Sequence, residues 1–296
     1  MEPAAHLAVI VNKYPTVWNH VNQVLSARGH ELPDWPEWCF IPQAGWKAIH
    51  VMATHNKLSS EEGIVLAALG AWRYSQGAYR YDPTVYNALL HSPPRGTSHS
   101  DLLYRLPQWC VYVETPGMMD GTCHGFWAHL EMNDIIKRAE LRLLLNLSHS
   151  LTPLYLPIGP WSFNQALMRL RREFNLGELD IELAEKAIEA ITPCLSLLLY
   201  LCQNSADIYD VHRPSSYPVN PTVQHDEGTT LLYPADIPRV WMVGNDVGRM
   251  VRFMMENATD DASPSSPFWL DYWEGPKGAP GSTHVLKWCP PIFDPT

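Results

Sequence analysis

His129 and Glu131 stand two residues apart in Gly125-Phe126-Trp127-Ala128-His129-Leu130-Glu131. In an extended strand that spacing puts both side chains on one face, where an imidazole beside a carboxylate can work as an acid–base pair. Glu114, on the preceding apolar segment, adds a third titratable group. A hydrolase or nuclease that gathers carboxylates around a metal is the enzymatic reading these residues allow. Its other parts are missing from the sequence. It has no recognisable nucleophile with an oxyanion-type loop, no Gly-rich phosphate loop, no Walker lysine and no G-x-S-x-G elbow. Zinc needs clustered ligands, and Cys123-His124 with His129 is the nearest approach, without a second ligand pair. The six cysteines (Cys39, Cys110, Cys123, Cys194, Cys202, Cys289) sit singly in apolar runs and form no C-x-x-C. The sequence therefore calls for no metal, no cofactor, no disulfide and no assigned catalytic residue.

The segments that hold these residues alternate with the period of a half-buried strand. In Leu106 to Glu114, Trp109, Val111 and Val113 share one face, and Cys110, Tyr112 and Glu114 share the other. From Gly125 to Glu131, Phe126, Ala128 and Leu130 oppose Trp127, His129 and Glu131. From Glu140 to Leu147, Leu141, Leu143, Leu145 and Leu147 oppose Arg142 and Asn146. Three neighbouring strands with short connections predict an antiparallel meander. Trp109, Val111, Val113, Phe126, Ala128 and Leu130 are the expected core face. The opposite face carries Tyr112, Glu114, Trp127, His129, Glu131 and Arg142, a mixture suited to a recognition surface.

Helical patterns surround the meander. Tyr14 to Arg28 reads as a helix ended by Gly29, and Trp35 to Pro42 as a strand entered by a proline. Ser59-Ser60-Glu61-Glu62 is a capped helix start, predicted to run to about Gln76 and stop at Gly77. Asp82-Pro83 opens another helix that ends at Ser92-Pro93-Pro94. Ser162 to Phe174 is helical, and so is Leu179 to Cys202, with a break expected at Thr192-Pro193. Arg239 to Asn257 reads as one amphipathic helix, and Ala258 to Pro267 as a polar segment. The runs Phe268 to Gly275 and His284 to Pro291 look like a terminal aromatic hairpin. The expected class is α+β, an antiparallel meander packed against several helices. Its expected organisation is a main domain over 1–204, a Pro/Ser-rich excursion over 205–237, and a C-terminal helix and hairpin over 238–296.

Composition narrows the class further. With 46% hydrophobic and 18% charged residues, a chain of 296 residues can bury a core and is not of disordered type. The formal net charge of −10 gives no basic footprint for phosphates, which disfavours nonspecific nucleic-acid binding. Met1-Glu2-Pro3 lacks the basic region and apolar stretch of a signal peptide. No run approaches the ~20 apolar residues of a membrane span. The cytoplasm of a bacterial host is the expected compartment, with no membrane partner.

Several islands, in order, resemble one family: the type V-A anti-CRISPR proteins that suppress production of the type V-A CRISPR effector nuclease. They are Leu69-Gly70-Ala71-Trp72-Arg73 with Gly77 and Tyr79; Leu106-Pro107 with Trp109-Cys110-Val111-Tyr112-Val113; Gly125-Phe126-Trp127-Ala128; Leu201-Cys202; Tyr272-Trp273-Glu274-Gly275; and Lys287-Trp288 with Pro290-Pro291. The resemblance implies an interaction protein of phage or plasmid origin. It would recognise the amino-terminal segment of the effector polypeptide as it is made, with loss of the message. The expected binding residues are then the mixed meander face together with Tyr272 and Trp273. Where the family has a basic, histidine-rich segment before its Tyr-Trp pair, this chain has Asp261 to Asp271 and keeps only the aromatics. That departure weakens any contact with the ribosome or mRNA. An enzyme using His129, Glu131 and Glu114, and a non-inhibitory interaction protein, are the alternatives.

Overall fold

The computed structural model describes residues 2–94, 98–133, 136–176, 181–226, 229–258, 265–276, 279 and 281–292. Its helices are α1 (Pro3–Lys13), α2 (Val21–Ala27), α3 (Gln43–Thr54), α4 (Ser60–Trp72), α5 (Pro83–Leu90), α6 (Phe163–Leu176), α7 (Ile181–Cys202) and α8 (Asn245–Glu256). The strands are β1 (Gly77–Tyr81), β2 (Cys110–Glu114), β3 (Cys123–Asn133), β4 (Arg138–Leu147), β5 (Leu151–Ile158), β6 (Ile208–Asp210), β7 (Gln224–Asp226), β8 (Thr229–Leu231), β9 (Arg239–Val243), β10 (Phe268–Glu274) and β11 (Thr283–Cys289). The class is α+β, as the two periodicities predict.

The main sheet has seven strands in the order β5-β4-β3-β2-β1-β9-β6. The expected meander forms its antiparallel centre: Val111 lies opposite Ala128, Tyr112 opposite Trp127, and Trp127 opposite Leu144. It gains a fourth strand, β5, and β1 lies parallel to β2. Strand β5 is the sheet's edge and carries Pro153 and Pro157. Four residues apart, both turn to the same side, which removes donors that another chain could pair with. β10 and β11 form a separate two-stranded ribbon, as predicted for the C-terminal hairpin.

By contact density the chain divides into two compact units. One comprises 1–79, 107–158 and 218–240; the other comprises 80–106, 159–217 and 241–296. In the first, the side chains of Tyr112, Trp127 and Leu144 join a core with Leu7 of α1, Val21 of α2, Trp46 of α3, and Leu66, Leu69 and Trp72 of α4. Two glycines permit this packing. A Cβ on Gly70 would enter the Trp46 ring, and one on Gly125 would meet the Tyr112 hydroxyl.

Helix α4 starts as its sequence requires. The Ser59 hydroxyl accepts from the Glu62 backbone and donates to the Glu62 carboxylate. It stops earlier than expected, at Trp72. Gly77 begins β1 rather than ending the helix, and the Trp72 indole donates to its carbonyl at 2.9 Å. Trp35 to Pro42 is not a strand. Prolines 36 and 42 interrupt the ladder donors, and the Trp35 indole closes the segment onto the Phe40 carbonyl at 3.0 Å. The helix expected over Tyr14 to Arg28 is a short 3-10 segment, Val17–His20, followed by α2. α7 runs unbroken through Pro193, while the Thr192 hydroxyl bonds back to the Ile188 carbonyl. The helix expected from Arg239 is β9 followed by α8, separated by Gly244 at φ +75. Asp261 to Pro264, part of the altered segment, lie outside the described residues.

Candidate functional site

The mixed face of the meander is not an open surface. Tyr112 and Trp127 are 2% and 0% exposed, His129 5% and Glu131 2%. Val111, Val113, Phe126, Ala128 and Leu130 on the opposite face are buried too, and Trp109 is half-buried. Both faces of β2 and β3 are therefore packed, which alternation alone does not reveal.

Two polar clusters accommodate the mixed side chains. At one end, the Tyr112 hydroxyl accepts from Asn146 Nδ2 at 3.0 Å, and Asn146 Oδ1 lies 3.0 Å from His6 Nε2 of α1. Burial pushes the Tyr112 phenol up to about 12 and lowers the His6 imidazole. Around Tyr112, Trp127 packs at 4.7 Å between ring centroids, and Trp72 meets Trp127 edge-on at 6.1 Å.

At the other end, Glu131 of β3 lies directly opposite Glu140 of β4, which would set two carboxylates against each other. Arg142 separates them. Its Nη2 contacts the Glu140 carboxylate, and its Nε lies 3.9 Å from Glu131 Oε2. Arg138 adds a second cation on Glu140 at 2.7 Å, and the Arg142 guanidinium also rests over the Tyr155 ring. The second Glu131 oxygen accepts the backbone N–H of Gln43 at the start of α3, at 3.2 Å. Glu131 thus serves as that helix's N-terminal acceptor. His129 Nε2 is 3.7 Å from Glu131, and among the described residues neither ring nitrogen has a hydrogen-bond partner.

These positions do not assemble a catalytic centre. Glu114 lies opposite Gly125, six residues along β3 from Glu131. That separation is about 20 Å of extended strand. Among the described residues no group of three or more His, Cys, Asp or Glu side chains is placed to hold a metal. None of the six cysteines is joined in a disulfide.

One open feature stands out in each unit. In the first unit a cleft of about 730 Å³ is lined by Arg28, Asp34, Glu37, Phe40, Trp109 and Asn220, among others. Trp109 anchors it: its backbone N–H donates to Asn220, its indole donates to the Glu37 carbonyl, and its ring packs on Phe40. Arg28 is held by Asp34 and stacks on Trp35. In the second unit the ribbon exposes a row of large side chains on β10, with Phe268 at 37%, Leu270 at 38% and Tyr272 at 42%. Trp273 faces the other way, stacked on His284, which also pairs with Asp271. Of the expected binding residues, Tyr272 is exposed and Trp273 partly so. Phe268 and Leu270 lie in the same exposed row, where the alternation of Phe268-Trp269-Leu270-Asp271-Tyr272 places them beside Tyr272.

A family model for the AcrVA2-like proteins, described as the anti-CRISPR type V subtype A2 family, matches residues 79–293. The chain belongs to this family. No curated protein sequence matches it. The crystal structure of AcrVA2 superposes with a TM-score of 0.69 at 20% identity, covering 99% of each chain. At that identity the superposition carries the fold, and the family match carries the assignment as a type V-A anti-CRISPR protein. The family implies a partner connected with the CRISPR effector. Among the described residues no helix is long and apolar enough to cross a membrane.

Proposed function

We propose that this anti-CRISPR protein binds the amino-terminal polypeptide segment of a type V-A effector and lowers its production. The observation that carries this reading is the exposed row Phe268, Leu270 and Tyr272 on a ribbon lying wholly inside the family-matched span. Aromatic anchors on an open sheet face suit a peptide partner. The cleft is the weaker candidate for the family's shared activity, because most of its lining residues lie before residue 79. The buried meander face has a supporting role here: Tyr112, Trp127, His129, Glu131 and Arg142 hold the core and the entry to α3. The net charge of −10 favours a neutral or basic target segment, by attraction that salt screens. Loss of the message follows from capture of the nascent chain and needs no direct RNA contact by residues 265–271.

The test is co-expression with a type V-A effector whose amino-terminal segment is intact or scrambled. Effector protein and message are measured alongside capture of the nascent chain. The reading expects both levels to fall, and capture to occur, only with the intact segment. Equal effector levels in the two cases, with no capture of either chain, would overturn it.

A further inference from the structure

β10 and β11 pair over seven positions, with Trp269 opposite Trp288, Asp271 opposite Leu286 and Trp273 opposite His284. In an antiparallel ladder, opposed residues alternate between pairs that bond each other and pairs whose N–H and C=O groups point away. Two contacts fix which pairs are which. The Trp288 N–H donates outward to Gln203 Oε1 at 3.2 Å, and the His284 carbonyl accepts outward from Arg105 Nη2 at 2.8 Å. Trp288 and His284 therefore belong to the outward-pointing pairs, and so do Trp269, Asp271 and Trp273 on β10. Gln203 and Arg105 cover the outer edge of β11. Among the described residues, none covers the outer edge of β10 in this way. Among the described residues the ribbon has two strands, and no backbone group of Asp271 or Trp273 has a partner on that side.

The sequence does not blunt this edge either. β10 contains no proline and no lysine, unlike β5 with Pro153 and Pro157. The side chains flanking the open groups on one face are the exposed Leu270 and Tyr272, with Lys287 of β11 beside Leu270. Trp269 is buried, so the accessible stretch is Leu270 to Glu274.

We infer that the outer edge of β10 receives an extended polypeptide by strand addition, with Asp271 and Trp273 supplying the backbone donors and acceptors. Resting on the function proposed above, the occupant is the effector's amino-terminal segment: proline-free, neutral or basic, with apolar side chains at alternate positions to meet Leu270 and Tyr272. A second copy of this chain is disfavoured. Two chains each carrying −10 repel each other.

The experiment uses the full chain and synthetic peptides covering the start of a type V-A effector. Each peptide amide in turn is N-methylated, and affinity is measured at low and moderate salt. Strand addition expects a period of two: methylation weakens binding about tenfold at alternate positions and is tolerated between them. On the protein side, Asp271→Pro removes an outward N–H and should cost a similar factor, whereas Asp271→Ala keeps the backbone and should bind. Glu37→Ala, on the cleft rim, should bind like the parent. If the unmodified peptide binds but methylation shows no alternation, strand addition is wrong and the peptide-binding function stands. Loss of binding in Glu37→Ala would move the site to the cleft. If no unmodified peptide binds, both the function and the inference fall. Should Asp271→Pro not fold, the methylation series still decides.

Discussion

Glu131 accepts the backbone N–H of Gln43 at 3.2 Å, so a carboxylate of strand β3 closes the N-terminus of α3. The same side chain balances Arg142, which in turn holds Glu140. A residue whose type and position suggest recognition is therefore part of the frame. Removing it leaves α3 uncapped and a half-buried guanidinium with one counter-charge fewer.

Glu131→Ala is expected to destabilise the protein by roughly 3 kcal/mol, the cost of breaking a buried charged pair. Glu131→Gln, which keeps an acceptor for Gln43, should cost less. Chemical denaturation checks the order, and peptide affinity of the folded fraction should match the parent in both. Lost affinity in a fully folded Glu131→Gln protein would return the meander face to the binding site.

Phe126 is fully buried on β3, opposite Val113 of β2 and Leu145 of β4. Phe126→Ala should destabilise by about 3–5 kcal/mol, as for other buried aromatics. A loss below about 1 kcal/mol in denaturant titration would mean that the site collapses around the cavity rather than holding it open.

Glu62 predicts a pH dependence. The ammonium of Lys13, then the hydroxyls of Ser59 and Tyr14, hold its carboxyl down to about 2, against an ordinary value of 4.5. A lowered carboxylate stabilises the fold above its unfolded value, and the gain is lost as pH falls toward the folded one. The difference in Tm between the parent and Glu62→Gln should therefore be steady above pH 4.5 and shrink between 4.5 and 2. Because Lys13 and Glu62 are both substantially exposed, added salt should reduce the difference as well. A gap that ignores pH over that range would show that the Lys13–Glu62 contact adds nothing to stability.

The sequence by itself determined the elements whose signals are local. Ser59 and Glu62 start α4 because both sides of the cap lie within one turn, and Asp82-Pro83 starts α5 in the same way. Alternation set the side-chain faces of β2, β3 and β4, and the two aromatic runs gave the ribbon of β10 and β11. The family islands pointed to the anti-CRISPR class. Burial is not local, and there the sequence was silent. Polar residues at alternate positions fit an open face and a buried one equally well. Only the distant arrival of Gln43 at Glu131, and of His6 at Asn146, turns Tyr112, Trp127 and His129 inward. In the same way, Gly77 could end a helix or begin a strand, and tertiary pairing with β2 made it a strand. The open edge of β10 is likewise a property of pairing. Which of its N–H groups point outward follows from the register with β11, whose own outer edge is met by Gln203 and Arg105, far away in the chain.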